Sequence, residues 1–315
     1  MGVGYDVLGG ALDVAGDRVT VRKIDTPEVR IDAIHGAPVN LPTTADANTA
    51  TAGLLHLRND LDLPFGLAVA IEKGTPLSAG MGGSAASAVG AVVAANALLP
   101  EPLSRLEVLH YALLGEAVAS GSIHPDNVAP SLYGGLVLTR EVDPPDVVPL
   151  PPPEGVVCVL VHPHLEVKTK EARNCVPEAI PVGTAVRQSA HLGAFIAGCY
   201  RNDLRLLRRS LRDVMIEPFR ANLVPGFAAV QTAAMDGGAL GCTLAGAGPS
   251  LFAWAHEDDA EAIRDAMRGA FEARNVAADA WISPLDAPGA RLVERPVSPD
   301  PPATDTNAAD ADSHG

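Results

Sequence analysis

A chain of 315 residues, 47% hydrophobic and 19% charged, has ample material for a buried core, and its length suits about two domains of ordinary size. Its net charge of -15 argues against nucleic acid as a partner, because an acidic surface repels phosphate backbones. No run approaches the roughly 20 apolar residues of a membrane span and no secretory signal opens the chain, so no membrane partner and a cytoplasmic location are expected.

The elements alternate between strand and helix signals, without repeats. Residues 18–24 and 28–35 alternate or cluster β-branched residues, as in paired strands. Thr44 to Asn59 reads as a helix, and 65–72 as a strand feeding a glycine-rich segment, 74–83. From Ser84 an Ala-rich helix runs to about Leu99. The next helix follows Pro102 and carries Leu103, Leu106, Leu109 and Leu113 on one stripe. Residues 135–140 read as a strand.

The Pro-rich stretch 144–153 can sustain neither a helix nor a central strand, which makes it the expected domain boundary. Beyond it, strand 156–162, helices within 184–214 and 226–236, strands 239–244 and 250–255, helix 258–274 and strand 278–283 form a second α+β unit. The domains are therefore expected at 1–150 and 151–296. Residues 297–315 lack hydrophobic pattern and aromatics and read as a disordered acidic tail.

Cys158, Cys175, Cys199 and Cys242 lack CxxC spacing, so buried free thiols are expected rather than disulfides or zinc ligation. The acids are mostly Asp and the bases nearly all Arg. Both a high-salt cytoplasm and genomic GC bias produce that balance.

The segment from Pro76 through Gly80, Met81, Gly82, Gly83 and Ser84 to Ala86 lies between an expected strand and an expected helix. Glycines let a backbone come close to phosphate, and a helix start adds unpaired N–H donors. A flexible loop before a small-residue helix would show the same glycines. Glu116 falls on the apolar stripe of its helix, where a carboxylate is costly unless paired. A magnesium ion shared with phosphate oxygens would pair it, and so would an escape to the helix edge. The run His124-Pro-Asp-Asn127 follows, offering polar side chains but also ordinary turn chemistry. A second glycine-rich segment, Gly237 to Ser250, separates a helix from a strand.

PLSAGMGGSAA resembles the second motif of the GHMP small-molecule kinases, CTLAGAGPSLFA the third, and GVGYDVLGGALD the end of the first. Within that superfamily IHPDNVAPSLYGGLVL, VKTKEAR and EPFRANLVPGF are most similar to the homoserine kinase branch. The resemblance implies an α+β two-domain fold, with an N-terminal domain like the second domain of ribosomal protein S5 and a ferredoxin-like C-terminal domain. It also implies ATP-dependent phosphorylation of the L-homoserine hydroxyl, ahead of threonine synthase. Under that resemblance Pro76 and Gly80 to Ala86, with Ala85 among them, cradle the phosphates, Ser84 and Glu116 hold Mg²⁺, and Asn48 lies near the adenine. Asp6, His124, Arg173 and Arg220 hold the amino acid, and Arg suits a carboxylate because its fork binds bidentately.

The resemblance further implies that no catalytic aspartate is present and that Asn127 orients the acceptor hydroxyl, with His124 the rival as a base. Phosphoryl transfer tolerates this, since catalysis is mostly positioning and charge stabilisation. Gly83 stands where the family has the first of two serines. The family's opening strand, and an Asn six residues before Asp6, would fall ahead of Met1, so we expect an upstream start. A mevalonate-type or sugar-alcohol kinase and a truncated non-catalytic paralogue are the alternatives, and a homodimer is left open.

Overall fold

The computed structural model describes residues 1–36, 41–120 and 123–293. The expected acidic tail lies outside them. In chain order the elements are β1 (Leu8–Gly10), β2 (Arg18–Ile24), β3 (Val29–His35), α1 (Thr49–Asp60), β4 (Gly66–Glu72), α2 (Gly83–Asn96), α3 (Arg105–Ser120), α4 (Pro125–Tyr133), β5 (Leu136–Val142), β6 (Pro145–Leu150) and β7 (Val156–Pro163). Then come α5 (Thr169–Asn174), α6 (Val182–Arg201), α7 (Leu204–Ser210), α8 (Glu217–Arg220), α9 (Phe227–Asp236), β8 (Gly241–Leu244), β9 (Leu251–His256), α10 (Ala260–Glu272) and β10 (Ala278–Pro284). The architecture is α+β. No described helix is long and apolar enough to cross a membrane.

Three sheets organise these elements, in strand orders β2-β4-β3, β1-β5-β6 and β10-β7-β9-β8. In the first, β4 pairs antiparallel with β2 and parallel with β3. Its buried face, including Leu67, Val69 and Ile71, joins α1, α2 and α3 in one apolar cluster. The third sheet, antiparallel throughout, forms a second cluster with α9 and α10. A third cluster joins residues from both halves of the chain, with Leu8, Leu136 and Leu150 meeting Leu160, Phe195 and Trp254. That shared core fixes the two glycine-rich segments relative to each other.

Local chemistry explains most boundaries. Asn48 caps α1, its Oδ1 accepting from the Ala50 N–H at 3.0 Å, so the helix starts five residues later than Thr44. Ser104 and Glu107 form a reciprocal capping box at the start of α3, with bonds of 3.3 and 2.7 Å. Leu109 and Leu113 are buried as expected, but Leu106 is exposed. The buried stripe runs instead through Val108, Leu109, Ala112 and Leu113 to Glu116. Part of the Pro-rich stretch forms β6, on the edge of its sheet, where a missing N–H costs no ladder bond. The three-residue strand β1 was too short to show a pattern. The four cysteines are free, and burial pushes the Cys158 and Cys199 thiols up to about 12.

Helix α3 is seated by two glycines. A Cβ at Gly53 would lie 2.3 Å from the Tyr111 carbonyl oxygen, and one at Gly115 would lie 2.5 Å from the Thr49 carbonyl oxygen. Only glycine lets α1 and α3 approach this closely, and the approach sets the depth of Glu116. Gly115→Ala should therefore lower the unfolding free energy by about 1–3 kcal/mol, measured by denaturant titration. An unchanged midpoint would mean that the crossing is looser than described.

Candidate functional site

A cavity of about 760 Å³ opens between the first glycine-rich segment, the ends of α3 and α4, and loops of the second half. Asn48, Pro76, Gly80, Gly82, Gly83, Ser84, Glu116, His124, Asn127, Asp6, Arg173 and Arg220 line it. Met81, Ala85 and Ala86 do not. Met81 turns into the core shared by the two halves and the Ala85 methyl is buried under the first sheet.

The glycine-rich turn is built around left-handed backbone. Gly80 and Gly82 have φ of 73° and 70°, and Ser78 is held at 53°. At Gly80 a Cβ would also meet the Ala245 carbonyl oxygen at 2.1 Å, so the second glycine-rich segment packs directly on the first. The Ser250 N–H donates to the Ala79 carbonyl at 3.3 Å, and Ser250 Oγ lies 3.0 Å from His162 Nδ1. Gly82 precedes α2 without a capping side chain, leaving the N–H groups of Gly83, Ser84 and Ala85 for a ligand. The Ala86 N–H is already bonded to the Gly82 carbonyl at 2.9 Å. The donor set thus ends one residue earlier than expected, and Ala85 contributes backbone only.

Glu116 is 3% exposed. Its Oε1 accepts from Ser84 Oγ at 2.9 Å and lies 3.5 Å from His124 Nδ1, whereas its Oε2 has no hydrogen-bond partner among the described residues. A buried carboxylate oxygen left unbonded at a cavity wall is costly, and a cation would remove that cost. The pair Ser84 and Glu116 therefore fits a magnesium ion that takes its remaining oxygens from phosphate. Asn127 is close by, since a methyl at Gly82 would lie 3.7 Å from Asn127 Oδ1. Asn48 lines the cavity, but its amide is occupied, capping α1 and donating to the Pro42 carbonyl at 2.7 Å.

The opposite wall carries the charges suited to an amino acid. Asp6, at φ 58°, accepts from Arg173 at 3.3 Å. Arg220 is only 4% exposed, yet among the described residues no carboxylate pairs with it. It donates to the carbonyls of Ala172 at 2.9 Å and Gly246 at 3.3 Å and to the Tyr5 hydroxyl at 3.2 Å, and lies 5.0 Å from the centre of the Tyr5 ring. A buried guanidinium held only by neutral groups is poised for an anion.

Three contributors escaped sequence reasoning. Asp126 lines the cavity, its Oδ1 unbonded among the described residues. Burial pushes its carboxyl up from the ordinary range, with Asp6 adding to the effect and the Met1 ammonium, His124 and Arg173 opposing it. Its position inside the HPDN run was visible; its burial was not. Lys73 and Asp17 form a buried ion pair beneath the glycine-rich turn. Their separation of 56 residues hid the contact, although Lys73 is one of only four lysines.

The chain matches the models for the GHMP kinases N terminal domain over residues 48–135 and the GHMP kinases C terminal domain over 195–273. The homoserine kinase of Xylella fastidiosa (strain M12) is 51% identical over 293 residues, spanning 92% of this chain and 90% of that protein. The homoserine kinase of Chlorobium phaeobacteroides is 44% identical over 304 residues, spanning 92% and 95%. The crystal structure of homoserine kinase from Cytophaga hutchinsonii superposes with a TM-score of 0.88 at 43% identity, over 91% of this chain and 92% of that one. Mevalonate kinase from L. major, at 18% identity and a TM-score of 0.65 over 89% of each chain, shares the fold.

The Asp126 carboxyl gives a pH test. A carboxyl whose folded pKa is raised contributes most stability below its unfolded value of about 3.9, and that contribution is lost as pH rises through the folded value. Asp126→Asn removes this loss, so the variant should gain stability relative to the parent as pH rises from about 4 to about 7. Thermal midpoints of both proteins across that range decide it; parallel curves would contradict the burial of a titrating carboxyl.

Proposed function

Because the chain belongs to the GHMP kinase family, we propose that it transfers the γ-phosphate of ATP to the side-chain hydroxyl of L-homoserine, giving ADP and O-phospho-L-homoserine. The observation that carries the substrate is Arg220, a buried guanidinium without a carboxylate partner among the described residues, on a wall that also holds Arg173, Asp6 and Asp126. An α-amino acid brings a carboxylate for the arginines and an ammonium for the acids. A mevalonate-type or sugar-alcohol substrate lacks the ammonium and brings no donor cation for Asp126 Oδ1, which is unbonded among the described residues.

The N–H groups at the start of α2, with the positive end of its dipole, receive the phosphates. Ser84 and Glu116 would hold Mg²⁺, which supplies charge neutralisation on the phosphate oxygens. Asn127 hydrogen-bonds the acceptor hydroxyl and directs its oxygen at the γ-phosphorus. The new O–P bond forms as the bond to the bridging β–γ oxygen breaks, and the hydroxyl proton passes to a phosphate oxygen. An amide cannot take that proton, and a loose transition state does not require it to. His124, buried beside Glu116, sets the back of this wall and sits with the substrate rather than acting as a base.

The non-catalytic alternative has no use for Glu116 aimed at the phosphate end with one oxygen unbonded. Purified protein, assayed at low and high salt, should form ADP from ATP with L-homoserine and Mg²⁺, and not with mevalonate or galactose. Turnover with either of those in place of homoserine would keep the kinase and remove the substrate. Glu116→Gln should lower turnover by about tenfold or more and shift the Mg²⁺ requirement upward, whereas an unchanged Mg²⁺ titration would make Glu116 structural.

A further inference from the structure

Lysine beside a phosphate-binding loop is the residue ordinarily expected to reach a phosphate. Lys73 stands in that place, at the end of β4, yet all three of its ammonium protons are already used. It donates to Asp17 Oδ2, to the Gly83 carbonyl at 2.7 Å and to Ser87 Oγ at 3.0 Å. An ammonium has three donors and no more. Asp17 is as fully committed. Its Oδ1 accepts from the N–H groups of Gly74 and Thr75, each at 3.1 Å, and its Oδ2 accepts from Ser87 Oγ at 2.6 Å as well as from Lys73. The Lys73 side chain is 3% exposed and that of Asp17 is fully buried.

We propose that the Asp17–Lys73 pair is a clamp that positions the phosphate loop, and that Lys73 is not itself a phosphate ligand. The bonds join three places that converge on the loop: the residues entering β2, the exit of β4, and the first turn of α2. Holding the Gly83 carbonyl and Ser87 fixes the direction of that first turn, and with it the N–H groups offered to the nucleotide. Lys73 and Ser87 border the cavity, whereas Asp17 does not. Any effect of Asp17 on nucleotide binding must therefore travel through the residues it holds, which makes it a positioning residue. The inference rests on the nucleotide half of the function proposed above.

The two roles for Lys73 predict opposite signs. Asp17→Asn keeps the shape but frees one ammonium donor. A phosphate-binding lysine would then bind ADP as well or better. A clamp would be loosened, and ADP would bind about tenfold or more weakly. Calorimetric titration of Mg·ADP into the parent and into D17N reads the sign, and titration of L-homoserine, expected to be unchanged, shows that the rest of the site is intact. Amide hydrogen exchange in the ligand-free proteins adds a readout that general destabilisation would not mimic, with faster exchange confined to residues 74–87. If D17N does not fold, Ser87→Ala, which removes one member of the network, should weaken ADP by a smaller factor, about threefold, with the same local exchange. ADP affinity kept or raised in a folded D17N overturns the clamp alone. A parent protein that binds no ADP overturns the nucleotide reading and the clamp with it.

Discussion

A buried positive charge that meets no carboxylate among the described residues governs this structure. Arg220 sits in the cavity wall with its guanidinium bonded to two backbone carbonyls and a phenol. Neutral acceptors satisfy its hydrogen bonds but do not cancel its charge. The chain tolerates that cost because α5, α8 and the loop after β8 converge on the side chain and hold it rigid. Much of the second half can be read as the scaffold for this one group, since Gly246, which accepts from Arg220, also abuts Gly80 of the phosphate loop. The wall that holds Arg220 and the glycine-rich turn opposite it are thereby parts of a single packed unit.

The other wall follows the same electrostatic logic with opposite bookkeeping. Unpaired N–H groups at α2 attract anions, while Glu116 beside them keeps one oxygen unbonded. The two groups carry opposite charge, so one end of the cavity offers donors to an anion and an acceptor to a cation within a few residues of each other. Under the proposed function, specificity comes from pairing these groups, since a zwitterionic alcohol and a nucleotide bring the charges they lack. The rest of the surface, strongly acidic, contributes nothing so specific.

Legibility in the sequence followed the range of the interaction. Glycines at 80 and 82 announced themselves because positive φ is a local requirement, and Glu116 stood out because an acid interrupts a helical stripe. Asn127 and His124 were visible as a polar run, though the helix that His124 precedes and that carries Asn127 was not. Arg173 and Arg220 came only from family resemblance, for nothing local distinguishes a buried arginine from a surface one. Burial decides what a string of residues cannot show. The side chains of Met81 and Ala85 point into cores although both belong to the glycine-rich string, and Leu106 belongs to a leucine series but lies on the exposed side. Asp17 and Lys73 meet across 56 residues of chain, a contact that no periodicity records.

The claim that Arg220 awaits a substrate carboxylate can be tested by trimming the ligand instead of the protein. 3-Aminopropan-1-ol is homoserine without its carboxylate, and it keeps both the hydroxyl and the amine. Calorimetry in the presence of Mg·ADP should find it binding the unaltered protein about ten- to a hundredfold more weakly than L-homoserine, as the loss of a charge-assisted bond requires. In Arg220→Met that difference should shrink to about threefold or less. Equal affinity for the two ligands in the unaltered protein would show that the buried guanidinium does not receive a carboxylate, and would contradict the account.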